Sequence, residues 1–273
     1  DVYLYLLEHL DQDQFLDVER YNLEPNDFYG TFGTVIHENT DIFWGHDISI
    51  EVDGDTGKVI RVKYETPFTQ DELNDMKDKF KKGLNKALNT IDSKLSENPT
   101  KLEIVKEIHD YLVSNNHYGS TTCPEDTHPK VGHLGCKGVR IEHSAYGALV
   151  ENKKYGVVCE GFASAFSLLC KYFNVEALYD AGPNDAGTGL HAWNYVKMED
   201  GKWYLVDLTY DNGDFKEKEY LNPKNFTKNP MKVRQVHDVL NKVKRQIKAI
   251  ISQKDYKNNF NCIIIVGKGI NER

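Results

Sequence analysis

The sequence predicts an α+β fold, with helices and antiparallel strands in separate stretches of the chain. Three observations predict it. Apolar residues recur at helical spacing over 69–95, 101–115 and 159–173. Alternating residues make two antiparallel pairs, 47–52 with 58–64 and 191–197 with 202–207, each joined through a glycine-containing turn. The chain has 273 residues, 40% hydrophobic and 28% charged, which suits one large globular domain or two modest ones.

Residues 3–16 (YLYLLEHLDQDQFL) read as a helix with Leu6, Leu10 and Phe15 near one face. A turn is expected at Glu24-Pro25-Asn26-Asp27, then a short helix from Phe28 to His37 weakened by Gly30 and Gly33. The hairpin follows. Asp53 and Asp55 in its loop read as turn formers, because the later ligand positions of a calcium loop are missing. Thr69-Gln70-Asp71-Glu72 offers a capped start for a helix to about Leu95, with Leu73, Phe80, Leu84, Leu88 and Ile91 as its stripe. After Asn98-Pro99-Thr100, a helix is expected from Lys101 to about Asn115, with Leu102, Val105, Ile108 and Leu112 inside. His109 beside that stripe reads as a structural or surface residue.

Residues 117–143 are irregular. Cys123, His128, His133 and Cys136 are the right ligand types for zinc, yet C-x4-H-x4-H-x2-C matches no common zinc pattern. A Cys123–Cys136 disulfide and free thiols stand beside zinc as alternatives. No other metal ligand set and no cofactor is called for. Ser144 to Val150 reads as an apolar helical turn. Beyond the second strand pair, Val236 to Ile251 makes an amphipathic helix with a basic opposite face, and Phe260 to Val266 a strand. The expected organisation is a helix and hairpin module at 1–97, a core at 98–222 and a basic segment at 223–273 packing on that core.

The chemistry concentrates between Val157 and Asp211. Gly156 breaks the chain, and from Cys159 to Phe173 the pattern is helical, which sets Cys159 at a helix N-terminus. Orphan N–H groups and the positive end of the dipole favour a thiolate there and can serve an oxyanion. Gly161, Ala163 and Ala165 allow close approach of another element, and Cys170 reads as a core cysteine. His191 follows the glycine-rich loop 182–189 at the start of a strand, and Asp207 ends the partner strand. A carboxylate there fixes the imidazole tautomer and leaves the other nitrogen to take the thiol proton. A cysteine and a distant histidine alone read more readily as core and strand residues; it is the placement of all three at element edges that singles them out.

Charge narrows the function classes. The net charge is −8, but from Lys216 onward there are 14 Lys and Arg against 5 Asp and Glu, so residues 1–215 carry −17. A body of that sign argues against nucleic-acid binding. The basic tail suits an anionic surface or the acidic body itself. No apolar run approaches the ~20 residues of a membrane span. Five cysteines are too few for a disulfide scaffold. The chain opens at Asp1 rather than Met, which reads as processed or trimmed. An extracellular or cell-surface location is expected, with the cytoplasm left open.

Residues 144–211 resemble the transglutaminase-like superfamily, in the form found in many bacterial proteins. Its pattern G-V-C-x-G-x-A-x-A-F-x-x-L-C, then H-A-W-N-x-V, then W-Y-x-x-D-x-T-W-D, is met by Gly156-Val157-Val158-Cys159-Glu160-Gly161, Ala163, Ala165-Phe166 and Leu169-Cys170, by His191-Ala192-Trp193-Asn194 with Val196, and by Trp203-Tyr204, Asp207, Thr209 and Asp211. One extra residue stands between Gly156 and Cys159, Tyr210 replaces a Trp, and the 117–143 loop is long. The resemblance implies a papain-like core with Cys159 as nucleophile, His191 as general base and Asp207 as its orienter. It further implies an oxyanion site from the Cys159 N–H and one more donor, for which Tyr146 is the candidate, and a cleft wall at Trp193. Thiol acyl transfer on a protein or peptide amide through a thioester is the implied activity, with hydrolysis favoured. A cross-linking transglutaminase and a non-catalytic peptide- or cell-wall-binding module are the alternatives.

Overall fold

The computed structural model describes residues 2–10, 14–44, 47–66, 68–119, 141–150, 156–183 and 190–212. The zinc or disulfide candidates Cys123, His128, His133 and Cys136, the loop 184–189 and the basic segment 223–273 lie outside them. The fold class is α+β, mixed helix and antiparallel sheet.

The N-terminal part opens with α1 (Val2–His9) and β1 (Leu16–Asp17), followed by a 3-10 turn at Glu19–Tyr21. The helix predicted over 3–16 therefore ends early. Leu16 and Asp17 pair instead with Val62 and Arg61, and Phe15 stays exposed with the Arg61 guanidinium 5.3 Å over its ring. A two-residue strand is too short to show a period in sequence. Next, α2 (Pro25–Glu38) is longer than predicted: Pro25 sits in its first turn, where no amide partner is lost, and Phe28 and Val35 bury completely. β2 (Asp47–Val52) and β3 (Val59–Glu65) form the expected hairpin, and β1 completes a sheet of order β1-β3-β2. Leu6, Leu10, Leu23, Phe28, Val35, Val59 and Val62 make one apolar cluster with the rest of this part.

A larger cluster fills the remainder. α3 (Gln70–Asp92) starts in the predicted box, Thr69 capping the Glu72 amide while Glu72 reaches back to the Thr69 amide. α4 (Lys101–Asn115) is capped by Thr100. α5 (Ala145–Leu149) and α6 (Cys159–Tyr172) follow, then β4 (Ala177–Pro183), β5 (Leu190–Lys197), β6 (Trp203–Val206) and the short α7 (Leu208–Asp211). β4-β5-β6 is a second antiparallel sheet, with Asn194 opposite Val206 and Gly182 opposite His191. α6 packs on β5, α4 and α5, with Phe162, Phe166 and Leu169 buried. The α3 stripe, grouped in sequence with the N-terminal module, and Phe43 both pack in this larger cluster. No helix among the described residues is long and apolar enough to cross a membrane.

Candidate active site

Cys159 begins α6, one residue after the N-cap Val158, and is partly exposed. The approach to it is fixed by backbone. Val157 N donates to His117 O at 2.9 Å, Gly119 N to Val157 O at 3.0 Å, and Val158 N to Glu142 O at 3.1 Å. Gly156 enters this segment at φ +73°, and a Cβ there would strike the backbone of His117 and Gly119. Gly161 meets the same demand from the other side, since a Cβ would collide with the Glu142 carbonyl. The small-residue face predicted on this helix is thus used to bring the 141–143 turn against the start of α6.

His191 and Asp207 come together from the second sheet. His191 Nε2 donates to Asp207 Oδ2 at 2.7 Å, and their side chains are 10% and 5% exposed. Asp207 lies just past β6 and caps α7, its Oδ1 accepting from Thr209 N at 3.2 Å. One carboxylate therefore sets both a helix start and an imidazole tautomer. With Nε2 engaged, Nδ1 is the ring nitrogen left for the Cys159 side chain, with which His191 also hydrogen-bonds. Burial alone would lower the His191 pKa. The hydrogen bonds and negative charge of Asp207 and Cys159 outweigh it and raise the imidazole to about 9. Burial raises Asp207 above the usual carboxylate range despite the bond from His191.

The strand bearing His191 is tied to the helix bearing Cys159 by Asn194. This side chain is fully buried, and its Nδ2 lies 3.1 Å from Ala163 O, 2.8 Å from Ser167 Oγ and 3.4 Å from Leu178 O. Tyr210, standing where the related pattern has Trp, meets the His191 ring edge-on at 5.0 Å. Trp193 lies 5.8 Å from the same ring and packs over Gly182. Cys170 is wholly buried in the core, and burial pushes its thiol far up.

Tyr146 is not part of this constellation. Its ring packs on Phe43 at 4.5 Å and Phe80 at 6.1 Å, and the charges that reach its hydroxyl are Lys79 and Asp75 on α3. The ring packs in the core while the hydroxyl meets the charges of α3 rather than Cys159. The hydroxyl at Cys159 belongs to Tyr118, which bonds both the backbone N–H and the side chain of Cys159. Burial first, and then the negative charge of Cys159, push its pKa up to about 12. Its place comes from a parallel bridge between Tyr118 and Val157. Nothing local in the sequence signals it, because the bridge joins residues 39 apart across the irregular stretch.

Beside Cys159, Glu160 pairs with His143 at 2.8 Å. His37 of α2 stacks on Tyr179 of β4 at 4.7 Å, so the N-terminal part reaches the same flank. Burial lowers the His37 pKa against the pull of Glu160, and burial with the charges of Glu160 and Cys159 raises that of Tyr179. Among the described residues no group of three or more His, Cys, Asp or Glu side chains is placed to hold a metal ion.

Residues 89–208 match the model of the transglutaminase-like superfamily. A solved structure described as a "Putative Cysteine Protease from Cytophaga hutchinsonii" aligns at 15% identity and a TM-score of 0.32, covering 60% of this chain and 61% of that one. No curated protein matches the chain.

Proposed function

We propose that the transglutaminase-like domain carried by residues 89–208 is a thiol-dependent acyl-transfer enzyme acting on protein or peptide amides, with hydrolysis as its main reaction. One observation carries the reading. His191 is held between the buried Asp207 carboxylate at 2.7 Å and a cysteine at the first position of a helix. An imidazole raised to about 9 stays protonated near neutrality, and opposite it the Cys159 sulfur serves as the nucleophile.

In this mechanism the Cys159 thiolate attacks the carboxamide carbon and the carbonyl electrons move to oxygen. The Cys159 N–H and the Tyr118 hydroxyl, bonded to each other in the free protein, turn to that oxyanion. Collapse breaks the C–N bond. The departing nitrogen takes the His191 proton and leaves as an amine or ammonia, so Cys159 holds a thioester. Water then loses a proton to His191, attacks the thioester and returns the thiol with a free carboxylate. A lysine amine in place of that water would give a cross-link. Partial exposure of Cys159 gives water access to the thioester, which supports hydrolysis. The pairing of Cys159, His191 and Asp207 also supports an enzyme over a binding module that uses the same cleft. A protein or peptide partner met outside the cell or at its surface fits this reading.

The test is labelling by a thiol-directed probe, followed by incubation of a glutamine-containing peptide with a labelled amine. Cys159 should react faster than an unfolded thiol, and Cys159→Ala should abolish both labelling and turnover. Peptide cleavage without amine incorporation is the expected product. Incorporation of the amine would make the protein a transferase, and equal reactivity of Cys159 and an unfolded thiol would end the enzymatic reading.

A further inference from the structure

A further imidazole–carboxylate pair joins α4 to α7. His109 of α4 is 10% exposed, with Nε2 3.2 Å from Asp211 Oδ2 and Nδ1 2.9 Å from Asp110 Oδ1; the Asp211 side chain is 6% exposed. An imidazole facing a carboxylate at each nitrogen donates from both and is a cation. Asp211 closes α7, the four-residue helix that Asp207 opens. Such a helix has no stability of its own, since nucleating a single turn is unfavourable. Two backbone bonds close it, Asp211 N to Asp207 O at 3.3 Å and Asn212 N to Leu208 O at 3.0 Å. Its position must come from outside, from packing on α6 and α4, and the side-chain hydrogen bonds come from the α4 side. Asn212 Nδ2 donates to the backbone carbonyl of Asn116, the residue that caps the end of α4, at 3.1 Å, and His109 within α4 grips Asp211. Leu208 adds a buried apolar foot.

The charges make the same demand. Asp207 and Asp211 are two buried carboxylates four residues apart. Each has its own imidazole, His191 for the first and His109 for the second. On its own helix His109 also faces Asp110, which the bond from His109 foremost, and then Lys106, hold at about 2. The charged groups around His109 are therefore Asp110 and Lys106 on α4, Asp211 on α7 and, beyond it, Asp207.

We propose that His109 is a positioning residue: by gripping Asp211 it holds α7, and with α7 the Asp207 carboxylate, at the distance that His191 requires. The proposal rests on the thiol-enzyme reading for its consequence in rate, and on geometry alone for its consequence at His191. His109 touches no reacting atom. Its influence passes through Asp211 and the backbone of a four-residue helix, so its loss slows the chemical step without weakening encounter with substrate.

The test uses the full chain and the variants His109→Ala, His109→Gln, Asp211→Ala and the double alanine variant. Two readouts are followed against pH: the rate of Cys159 alkylation by iodoacetamide, and the ring titration of His191 by NMR. His109→Ala should slow alkylation at neutral pH by about tenfold to a hundredfold, the scale of a misplaced catalytic group. It should also move the His191 titration down from about 9 by at least about half a unit, as the bond to Asp207 loosens. Asp211→Ala should do the same and the double variant no more, since the two residues act as one device. His109→Gln keeps a donor for Asp211 and should return the rate to within about threefold of the parent. If His109→Ala fails to fold, Asp211→Ala carries the test. An unchanged His191 titration in both alanine variants, additive effects, or a glutamine variant no better than alanine would overturn the proposal. A parent whose Cys159 reacts no faster than an ordinary thiol would instead sink the enzymatic reading, while the His191 titration would still report on His109.

Discussion

Among the described residues there are two three-stranded antiparallel sheets of nearly equal size, and the second of them carries His191 against the helix of Cys159. The β1-β3-β2 sheet closes over its own apolar cluster of Leu6, Leu23, Phe28, Val35, Val59 and Val62. The side-chain bonds at its hairpin are exposed, such as Arg61 to Glu51 across the strands and the Asp53 oxygen that caps the turn. The β4-β5-β6 sheet packs on α6 and spends buried polar groups on that contact, Asn194 above all. The difference teaches where precision is needed. An apolar cluster tolerates small shifts, because dispersion and burial are non-directional. A 2.7 Å bond between His191 and Asp207 does not, so the elements carrying its two ends are held by directional hydrogen bonds.

That contrast can be broken most sharply at Asp207. Asp207→Ala removes the imidazole's orienter and should lower kcat by roughly 10²–10⁴, with KM nearly unchanged, as seen in steady-state kinetics on a cleaved peptide. The alkaline limb of the pH–rate profile, expected near 9 in the parent, should fall toward the ordinary imidazole value. Retention of full kcat would show that the second sheet contributes packing only. In the first sheet's cluster, Phe28→Ala empties a fully buried site and should cost roughly 3–5 kcal/mol in chemical denaturation, yet leave kcat unchanged while the protein stays folded. Asn194→Ala is the reverse case. It should cost only about 1–3 kcal/mol, from the loss of a buried amide with three bonds, but reduce kcat disproportionately by freeing β5 from α6. If the two variants lose activity in proportion to stability, the distinction between the sheets fails.

The smallest effect is on stability against pH. His191 has its folded pKa raised above the unfolded value of 6.5 to about 9. The stability it contributes is therefore complete below about 6.5 and is lost as pH rises through about 9. The melting temperature of the parent should fall between those values, and that of His191→Gln should fall less. An identical decline in both would assign the effect to other groups.

Much of this was legible in the residues. The helices at 70–92 and 101–115, the hairpin, the strand of His191 and the placement of Cys159 at a helix start follow from periodicity and caps that operate within a few residues. What the sequence does not show is what passes between elements. Tyr146 stands 13 residues before Cys159 and Tyr118 stands 41 before it, and only tertiary contact decides that the nearer one packs on Phe43 and the farther one reaches Cys159. His109 gives a helical stripe and nothing more until α7 brings Asp211 to it. The two-residue strand at Leu16–Asp17 is invisible for a simpler reason, being shorter than one repeat of any pattern.

The bridges beside Cys159 have a further consequence. On one side of residues 120–140 the Gly119 amide is bound to Val157, and on the other the Glu142 carbonyl holds Val158. Both feet of the intervening segment are thus fastened to the residues just ahead of Cys159. Lengthening a connection whose ends are already fixed costs little, about 0.6 kcal/mol for each doubling. A change in length between those feet should therefore leave Cys159 and the start of α6 where they are.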